Sequence, residues 1–332
     1  MDHQAATPLL IDCDTGIDDS LALLYAAASE EARIVGVGCV AGNVELPHVV
    51  RNTLAVLSLA GRDDVEVAAG CDAPIARALR TAADTHGPTG LGYARLLDPT
   101  RGVSERHAAD LYVDVARERP GELTLVTLGP LSNIAVALQR EPELPRLLRH
   151  LVMMVGSYRS PGNTAPTMEW NAGVDPEALS AVLHGWQAVA DAPRPIALGL
   201  DVTEQAKLTP AGVERLAEAA GSADAPIVRF VEDALRFYFE FHSRYDGFYG
   251  AFVHDALVLA AALDPALART ESLTVEVELE GRWTTGETVT DWRRAWGRPP
   301  NVDVAVEVGT VAFFERFTQR VGRLAAERRS VT

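Results

Sequence analysis

Four aspartates lie within eight residues in the stretch IDCDTGIDD, where Asp12 and Asp14 precede Asp18 and Asp19. Carboxylates this close together repel one another strongly unless a cation lies among them. All the donors are oxygens, which favours a hard ion such as Ca²⁺ or Mg²⁺ over zinc. The alternative is that Asp18 and Asp19 only favour the first turn of the next helix, where the helix dipole stabilises carboxylates.

Three further polar segments follow predicted strands. Asn43 can bond a sugar hydroxyl, or it can simply form a turn. The segment 163–171 combines amides, an acid and an indole, which suit a hydroxyl-rich ligand with a flat ring. His254 and Asp255 begin a helix of small apolar residues, where Asp255 can instead be an N-cap and His254 a buried structural imidazole.

Short apolar runs alternate with helical patterns along the chain. Because parallel strands need crossover helices, this order predicts an α/β fold with an open, mostly parallel, doubly wound (Rossmann-like) sheet and helices on both faces. Ligands of such sheets bind at the carboxyl ends of the strands, where the polar segments lie. Strands are predicted at 8–11, 34–40, 66–69, 124–128, 151–155 and 196–200, and helices at 46–60, 131–140, 176–184, 224–241 and 313–329.

Two later runs alternate apolar with polar residues. The runs 273–279 and 302–308 have the pattern of strands with one wet face, which predicts small antiparallel or edge additions to the sheet. No internal repeat and no Ser/Gly-rich linker interrupts the sequence. A single domain over residues 1–332 is therefore expected.

The overall charge and hydropathy exclude several classes of protein. A formal net charge of −16 disfavours nucleic-acid partners, because no local basic stripe offsets it. Arginines near the end of the chain have the spacing of a solvated helix face. No uncharged apolar run approaches the roughly 18 residues of a membrane span, and the first residues lack a signal-peptide pattern. A cytoplasmic protein without a membrane partner is expected. The 3 cysteines lack the spacing of a zinc site or a disulfide framework.

Taken together, the polar segments resemble those of the inosine-uridine type nucleoside hydrolases, which are calcium-dependent N-ribohydrolases. IDCDTGIDD matches the opening signature of that family, and the blocks VAGNV, HGPTGLG, LVTLGPLSNIA, PGNTAPTMEWNAGVDPEA and VHDALVLA follow in the same order over nearly the whole chain. The resemblance implies hydrolysis of the N-glycosidic bond of ribonucleosides to free base and ribose, as in purine and pyrimidine salvage. It also implies a homodimer or homotetramer.

The resemblance further implies a metal site and a general base. Asp14, Asp19, Asp255 and the backbone carbonyl of Leu128 would bind Ca²⁺, and two ribose hydroxyls and one water would complete its shell. Asp14 would also take a proton from that Ca²⁺-bound water.

The remaining roles concern the substrate. Met154 and Trp170 would line the sugar pocket, and His86, in the HGPTG block, would lie near the 5′ end of the sugar. His254 would lie near the nucleobase, where it is the imidazole expected to assist departure of the base. The ribose hydroxyls would be held by Asp18, Asn43, Asn163, Glu169 and Asn171.

Two other functions fit part of the sequence. The segment 12–15 imitates the D-x-D-x-T loop of haloacid-dehalogenase-type phosphatases, which would make Asp12 a nucleophile assisted by Mg²⁺. The downstream lysine and paired aspartates of that family are not evident. A nucleoside-binding protein without turnover is the second alternative. The aromatic stretch 237–252 is expected to contact the base, and it leaves the choice among purine, pyrimidine and broad specificity open.

Overall fold

Short strands with buried side chains form the centre of the computed structural model, which describes residues 6–330. The strands are β1 (Thr7–Cys13), β2 (Ala32–Cys39), β3 (Val67–Ala69), β4 (Leu123–Thr127), β5 (Leu148–Met154), β6 (Ile196–Leu198), β7 (Lys207–Leu208), β8 (Ala251–Phe252), β9 (Ala268–Leu273), β10 (Val275–Val277), β11 (Thr288–Thr290) and β12 (Val302–Val308).

The helices lie mostly between the strands in the sequence, as a doubly wound sheet requires. They are α1 (Ile17–Ala28), α2 (Leu46–Leu59), α3 (Ala83–His86), α4 (Ala108–Glu118), α5 (Ser132–Arg140), α6 (Leu144–Leu147), α7 (Trp170–Val174), α8 (Pro176–Ala188), α9 (Leu200–Thr203), α10 (Pro210–Ala220), α11 (Pro226–Tyr245), α12 (His254–Leu263) and α13 (Thr310–Glu327).

One sheet of 8 strands has the order β3-β2-β1-β4-β5-β6-β12-β9. Its neighbouring strands are parallel, except that β9 runs antiparallel to β12. The chain leaves β1 toward β2 on one side and later returns to β4 on the other. Such a switch in strand order opens a crevice at the carboxyl ends of the strands. The predicted mostly parallel α/β sheet is therefore confirmed.

Side chains of β1 alternate between two cores. Leu9 and Ile11 are buried in one core with Leu257 of α12, and Leu10 is buried in the other with Leu111 of α4. Successive side chains of a strand point to opposite faces, so helices must cover both faces of the sheet. The largely apolar character of β1 follows from this double burial, and the strand contains Asp12 and ends directly before Asp14.

The alternating runs near the end of the chain take part in antiparallel pairs, one of the two arrangements predicted for them. The run 302–308 forms β12, which lies inside the sheet between β6 and β9 rather than at its edge. The run 273–279 is divided between the end of β9 and β10, and β10 pairs antiparallel with β11 in a separate sheet. Alternation of apolar and polar residues indicates that one face of the strand is exposed to solvent. A strand that lies next to the edge strand can have such a face, just as an edge strand can.

Arginines of α13 form ion pairs on the protein surface. Arg316 lies 2.6 Å from Asp264, and Arg323 lies 2.7 Å from Glu30. These contacts agree with the predicted solvated helix face. Within residues 6–330, no helix combines the length and the apolar character needed to cross a membrane. The predicted domain range also includes residues 1–5 and 331–332, which lie outside the described residues.

Candidate active site

The turn between β1 and α1 places the first acidic residues. Asp19, in the first turn of α1, accepts hydrogen bonds from the backbone N–H of Gly16 at 2.8 Å and of Asp14 at 3.2 Å. The Asn43 side chain donates to the same Asp19 carboxylate at 3.1 Å, and the Asn43 backbone N–H donates to Asp14 Oδ2 at 2.7 Å. The loop after β2 thus fixes both carboxylates.

A cluster of buried carboxylates forms below this loop. Asp18, Asp19 and Asp255 each place one oxygen within 4.8 Å of the others. Asp14 contributes a further oxygen, Oδ1, which is buried and has no hydrogen-bond partner among the described residues. Sequence reasoning expects Asp14 rather than Asp18 among the ligands, and the structure places all four acids in one region.

The electrostatics of the cluster favour a bound cation. Burial and the charge of Asp19 raise the pKa of Asp18 to about 8. The same two causes raise the pKa of Asp14, and burial followed by the charge of Asp18 raises that of Asp255. A cation among these carboxylates would offset both the lost solvation and the repulsion. The donors are hard oxygens on separate elements, so the residues fit a Ca²⁺ or Mg²⁺ ion.

Gly42 allows the close approach of Asp14. A Cβ atom added to Gly42 would lie 2.1 Å from Asp14 Oδ2, which is far below van der Waals contact. The backbone of the loop after β2 therefore packs directly against the carboxylate, and only glycine leaves room for it.

The resemblance implies that Asp14 is the general base, so we expect Gly42→Ala to lower kcat by about 10²-fold, the cost of a displacement of about 1 Å at such a group. Gly102→Ala is the matched control, since a Cβ atom there meets nothing within 4 Å. Both variants are assayed for ribose release after their melting temperatures are compared. Equal activity of the two variants would show that the approach of Gly42 to Asp14 has no functional importance.

The loop before α7 holds groups suited to a sugar. Glu169 caps α7, and its carboxylate accepts hydrogen bonds from the backbone N–H groups of Asn171 at 2.7 Å and of Gly156 and Ala172 at 2.9 Å. Burial raises the pKa of Glu169, and these three N–H groups oppose that rise. Glu169 is therefore a rigid acceptor.

Asn171 orients two backbone carbonyls. Its Nδ2 donates to the carbonyl oxygen of Leu128 at 2.7 Å and to that of Met154 at 3.0 Å. The Leu128 carbonyl keeps a second lone pair that this hydrogen bond does not use. Nearby, Asn163 Oδ1 accepts the backbone N–H of Trp170 at 3.0 Å.

A cavity of about 390 Å³ lies above the acidic cluster, within the size range of small-molecule sites. Asp14 and Asp19 lie outside its lining, deeper in the protein. The predicted site residues that border the cavity are Asp18, Asn43, His86, Leu128, Met154, Asn163, Glu169, Trp170, Asn171, His254 and Asp255.

At the end of the cavity near His254, most bordering residues come from the predicted stretch 237–252, and Glu204 is the one that sequence reasoning missed. In the stretch 237–252, Phe248 and Tyr249 do not border the cavity. His242 and Asp246 do border it and lie within the predicted stretch, although neither was singled out from its i, i+4 spacing on a helix. The bordering residues near this end are Glu204, Tyr238, Phe241, His242, Tyr245, Asp246 and Phe252.

Asp12 lies outside the cavity. Its Oδ2 accepts hydrogen bonds from the Tyr112 hydroxyl and, at 2.7 Å, from Asn133 Nδ2. Burial raises the pKa of Asp12 to about 7. A carboxylate that is enclosed in this way cannot reach a phosphoryl group, which argues against the phosphatase alternative.

Comparison with known proteins agrees with this geometry. The model of the inosine-uridine preferring nucleoside hydrolase family matches residues 9–315. The chain belongs to this family. As a member of this family, the protein is a nucleoside hydrolase and hydrolyses ribonucleosides. The predicted family and enzyme class are therefore confirmed, and the phosphatase alternative is set aside.

The alignments with similar proteins extend over nearly the whole chain of this nucleoside hydrolase. It is 37% identical over 321 residues to the pyrimidine-specific ribonucleoside hydrolase RihA of Enterobacter sp. (strain 638), a match covering 96% of this chain and 99% of that protein. It is 35% identical to the inosine-uridine preferring nucleoside hydrolase of Crithidia fasciculata, covering 93% and 94% of the two chains. The structure of a purine-preferring ribonucleoside hydrolase from Gardnerella vaginalis superposes with a TM-score of 0.88 at 30% identity, covering 96% of this chain and 99% of that one.

Proposed function

We propose that the protein cleaves ribonucleosides with Ca²⁺ held by Asp14, Asp19, Asp255 and the carbonyl oxygen of Leu128. One observation carries this proposal. Buried carboxylates on separate elements converge below a cavity of nucleoside size, and Asp14 Oδ1 has no partner among residues 6–330. Bound Ca²⁺ would supply Lewis acidity that lowers the pKa of a water and would hold two sugar hydroxyls.

Asp14 is suited to act as the general base. The backbone N–H of Asn43 fixes its Oδ2, while its Oδ1 is free to accept a proton from the attacking water. One fixed oxygen keeps the other in place, so little reorganisation is needed when the proton moves. General base catalysis of this kind contributes about 10² to 10⁴ to the rate.

The ribose binds above the acidic cluster in this proposal. Met154 and Trp170 line its pocket, and His86 lies toward its 5′ end. Cleavage of the bond to the base builds positive charge on the sugar, as in other glycoside hydrolyses. The carboxylates below the ring stabilise that charge. The sugar hydroxyls are bound by Asp18, Asn43, Asn163, Glu169 and Asn171.

The nucleobase lies at the other end of the cavity, beside His254 and the residues of α11. The three similar proteins differ in the specificity that their names give. The first is pyrimidine-specific, the second prefers inosine and uridine, and the third prefers purines. Rates with inosine, uridine, cytidine, guanosine and adenosine therefore define the base preference of this protein. A homodimeric or homotetrameric state stays a prediction, which light scattering can test. The cytoplasmic location also stays a prediction.

We expect chelation to abolish release of free ribose from these nucleosides. Ca²⁺ is then added back to one sample and Mg²⁺ to another, and Ca²⁺ is expected to restore more activity because its shell accepts more oxygens in irregular geometry. Full activity after complete removal of metal would contradict the proposed cofactor. Nucleoside binding without ribose release, with Ca²⁺ present, would instead favour the binding protein without turnover.

A further inference from the structure

The loop between β5 and α7, residues 155–169, carries Asn163 and Glu169, two residues of the proposed sugar site. The loop lies outside the strands and helices of the fold. Sites on loops are less precise than sites on helices or strands, unless other elements support the loop. The contacts of this loop with its neighbours therefore decide how precisely the Glu169 carboxylate is held.

Two of the three N–H groups that bind Glu169 are local. Asn171 and Ala172 belong to α7, which Glu169 itself caps, so their bonds hold the carboxylate against its own helix. The third donor is the backbone N–H of Gly156, which lies at the other end of the loop and 2.9 Å from Oε2. Gly156 follows β5 closely, and Met154 of β5 borders the cavity. This third bond therefore ties the carboxylate to the end of a central strand.

Thr288 of β11 fixes the backbone next to Gly156. Its hydroxyl donates to the carbonyl oxygen of Ser157 at 2.7 Å and accepts from the backbone N–H of Ser157 at 3.1 Å. One hydrogen is enough for both bonds, since the hydroxyl donates in one and accepts in the other. Thr288 is 4% exposed and Ser157 is 6% exposed, so water has little access to these groups. A Cβ atom added to Gly156 would lie 3.0 Å from Thr288 Cγ2, which shows how closely the two segments pack.

The segment around β11 contacts both ends of the loop. Trp292, which follows β11, donates its Nε1–H to the carbonyl oxygen of Tyr158 at 3.1 Å. Gly286, which precedes β11, packs against Met168, because a Cβ atom on Gly286 would lie 2.8 Å from Met168 Sδ. Met168 is the residue directly before Glu169. The same segment thus supports the start and the end of the loop.

The pair of strands β10 and β11 is itself fixed to the main sheet. Thr288 lies opposite Val277 in this antiparallel pair. Asn301, directly before β12, accepts the backbone N–H of Val275 at 2.8 Å and donates its Nδ2 to the Val275 carbonyl oxygen at 2.9 Å. Because β12 lies within the main sheet, the position of Thr288 is set by the core of the protein.

We propose that Thr288 is a positioning residue for Glu169 in the sugar site, an inference that rests on the proposed function. The Thr288 hydroxyl fixes Ser157, the neighbouring N–H of Gly156 then points at Glu169, and the carboxylate stays directed toward the ribose. Thr288 does not border the cavity, so it acts through the loop and not on the substrate. Loss of the hydroxyl leaves two buried polar groups of Ser157 without this partner, and the loop shifts to pair them elsewhere.

A second anchor keeps the loop folded when Thr288 is changed. The carboxylate of Asp201, on α9, accepts the backbone N–H groups of Tyr158 at 2.8 Å, of Arg159 at 2.7 Å and of Ser160 at 3.0 Å. These bonds do not involve Thr288. The expected result of losing the Thr288 hydroxyl is therefore a local shift of the loop at its start, with the rest of the loop still held.

The test starts from Thr288→Val, which keeps the branched shape and removes the hydroxyl. We expect kcat/KM for the best ribonucleoside substrate to fall by about 10- to 100-fold, because a misplacement of about 1 Å costs up to that much. Bound Ca²⁺ per chain is expected to stay unchanged, since Thr288 contacts none of the proposed metal ligands. Thr288→Ser keeps the hydroxyl and is expected to retain most of the activity. Thr290→Val is the matched control, because the Thr290 hydroxyl bonds within β11 itself, to the Thr288 carbonyl oxygen at 3.0 Å.

A double-mutant cycle with Glu169→Gln separates positioning from general support of the fold. If Thr288 acts through the Glu169 carboxylate, Thr288→Val costs little further kcat/KM once Glu169→Gln has removed that carboxylate. Independent effects on activity would instead multiply, because distant and unconnected sites contribute additively to the free energy. Melting temperatures of the single and double variants are compared in parallel.

Two results would overturn the proposal: wild-type kcat/KM in Thr288→Val, or losses from Thr288→Val and Glu169→Gln that multiply. If Thr288→Val does not fold, Trp292→Phe takes its place, because it removes the bond to Tyr158 and keeps an aromatic ring. A smaller loss that disappears in the Glu169→Gln background is expected there, and no loss would count against the proposal. Failure of the proposed sugar site looks different, because Glu169→Gln alone would then leave kcat/KM unchanged.

Discussion

Replacing Asp14 by Asn is expected to lower kcat for ribonucleosides by at least ~10³-fold, because general base catalysis alone contributes about 10² to 10⁴. The substitution removes the charge from an oxygen that has no protein partner, and it removes a metal ligand at the same time. Asparagine has nearly the same shape, so the contact of Gly42 with residue 14 is kept. Ribose release and bound Ca²⁺ per chain are measured together.

Asp12→Asn is the control for that experiment, because Asp12 belongs to the same acidic stretch and lies outside the cavity. It is expected to retain most of the activity if the variant keeps its melting temperature. An Asp14→Asn variant that binds no metal and is still active would refute the proposed site. A large loss in Asp12→Asn with unchanged folding would return attention to a nucleophile at Asp12.

A 2′-deoxynucleoside is expected to be a very poor substrate, with kcat/KM lower by about 10⁴ to 10⁵. A site built to bond a hydroxyl rejects the analogue that lacks it by this factor, because buried polar groups are left unpaired. In the proposed site, Asp18, Glu169 and Asn171 bind the hydroxyls, and all three are buried beside the cavity.

Uridine, 2′-deoxyuridine and 5′-deoxyuridine are compared in one assay. The 5′-deoxy compound keeps both hydroxyls that face the acidic cluster, so a smaller loss is expected for it. Similar kcat/KM values for uridine and 2′-deoxyuridine would contradict recognition of the sugar through its 2′ and 3′ hydroxyls.

The placement of the site was predictable because it depends on local patterns. Apolar runs predict the strands, and Asp14, Asn43 and Leu128 follow strands whose carboxyl ends meet at one edge of the sheet. Periodicity also predicts α11, which extends to Tyr245 rather than ending at residue 241. Local patterns therefore gave the sheet and the set of loops that surround the cavity.

The details that needed the structure are contacts between distant segments. The antiparallel pairing of the run 302–308 is predicted, but its place between β6 and β9 is not, because alternation does not indicate which strands lie beside it. The approach of Gly42 to Asp14 joins two loops, and no spacing in the sequence indicates its distance. The contact of His254 Nδ1 with Thr203 Oγ1 joins two separate helices. Each of these features is set by tertiary packing rather than by propensity.

The acidic cluster draws its members from distant parts of the chain, and this has a consequence for folding. Asp14, Asp18 and Asp19 follow the first strand, whereas Asp255 lies in the first turn of α12, which follows β8 in the sequence. The carboxylates can meet only when these distant segments have docked, and contacts of such long range form slowly. A cation that binds the assembled cluster and not the unfolded chain would stabilise the native state by mass action. With the cation bound, the same residues would then link the segment that follows β1 to the start of α12. Neither segment alone could form the site.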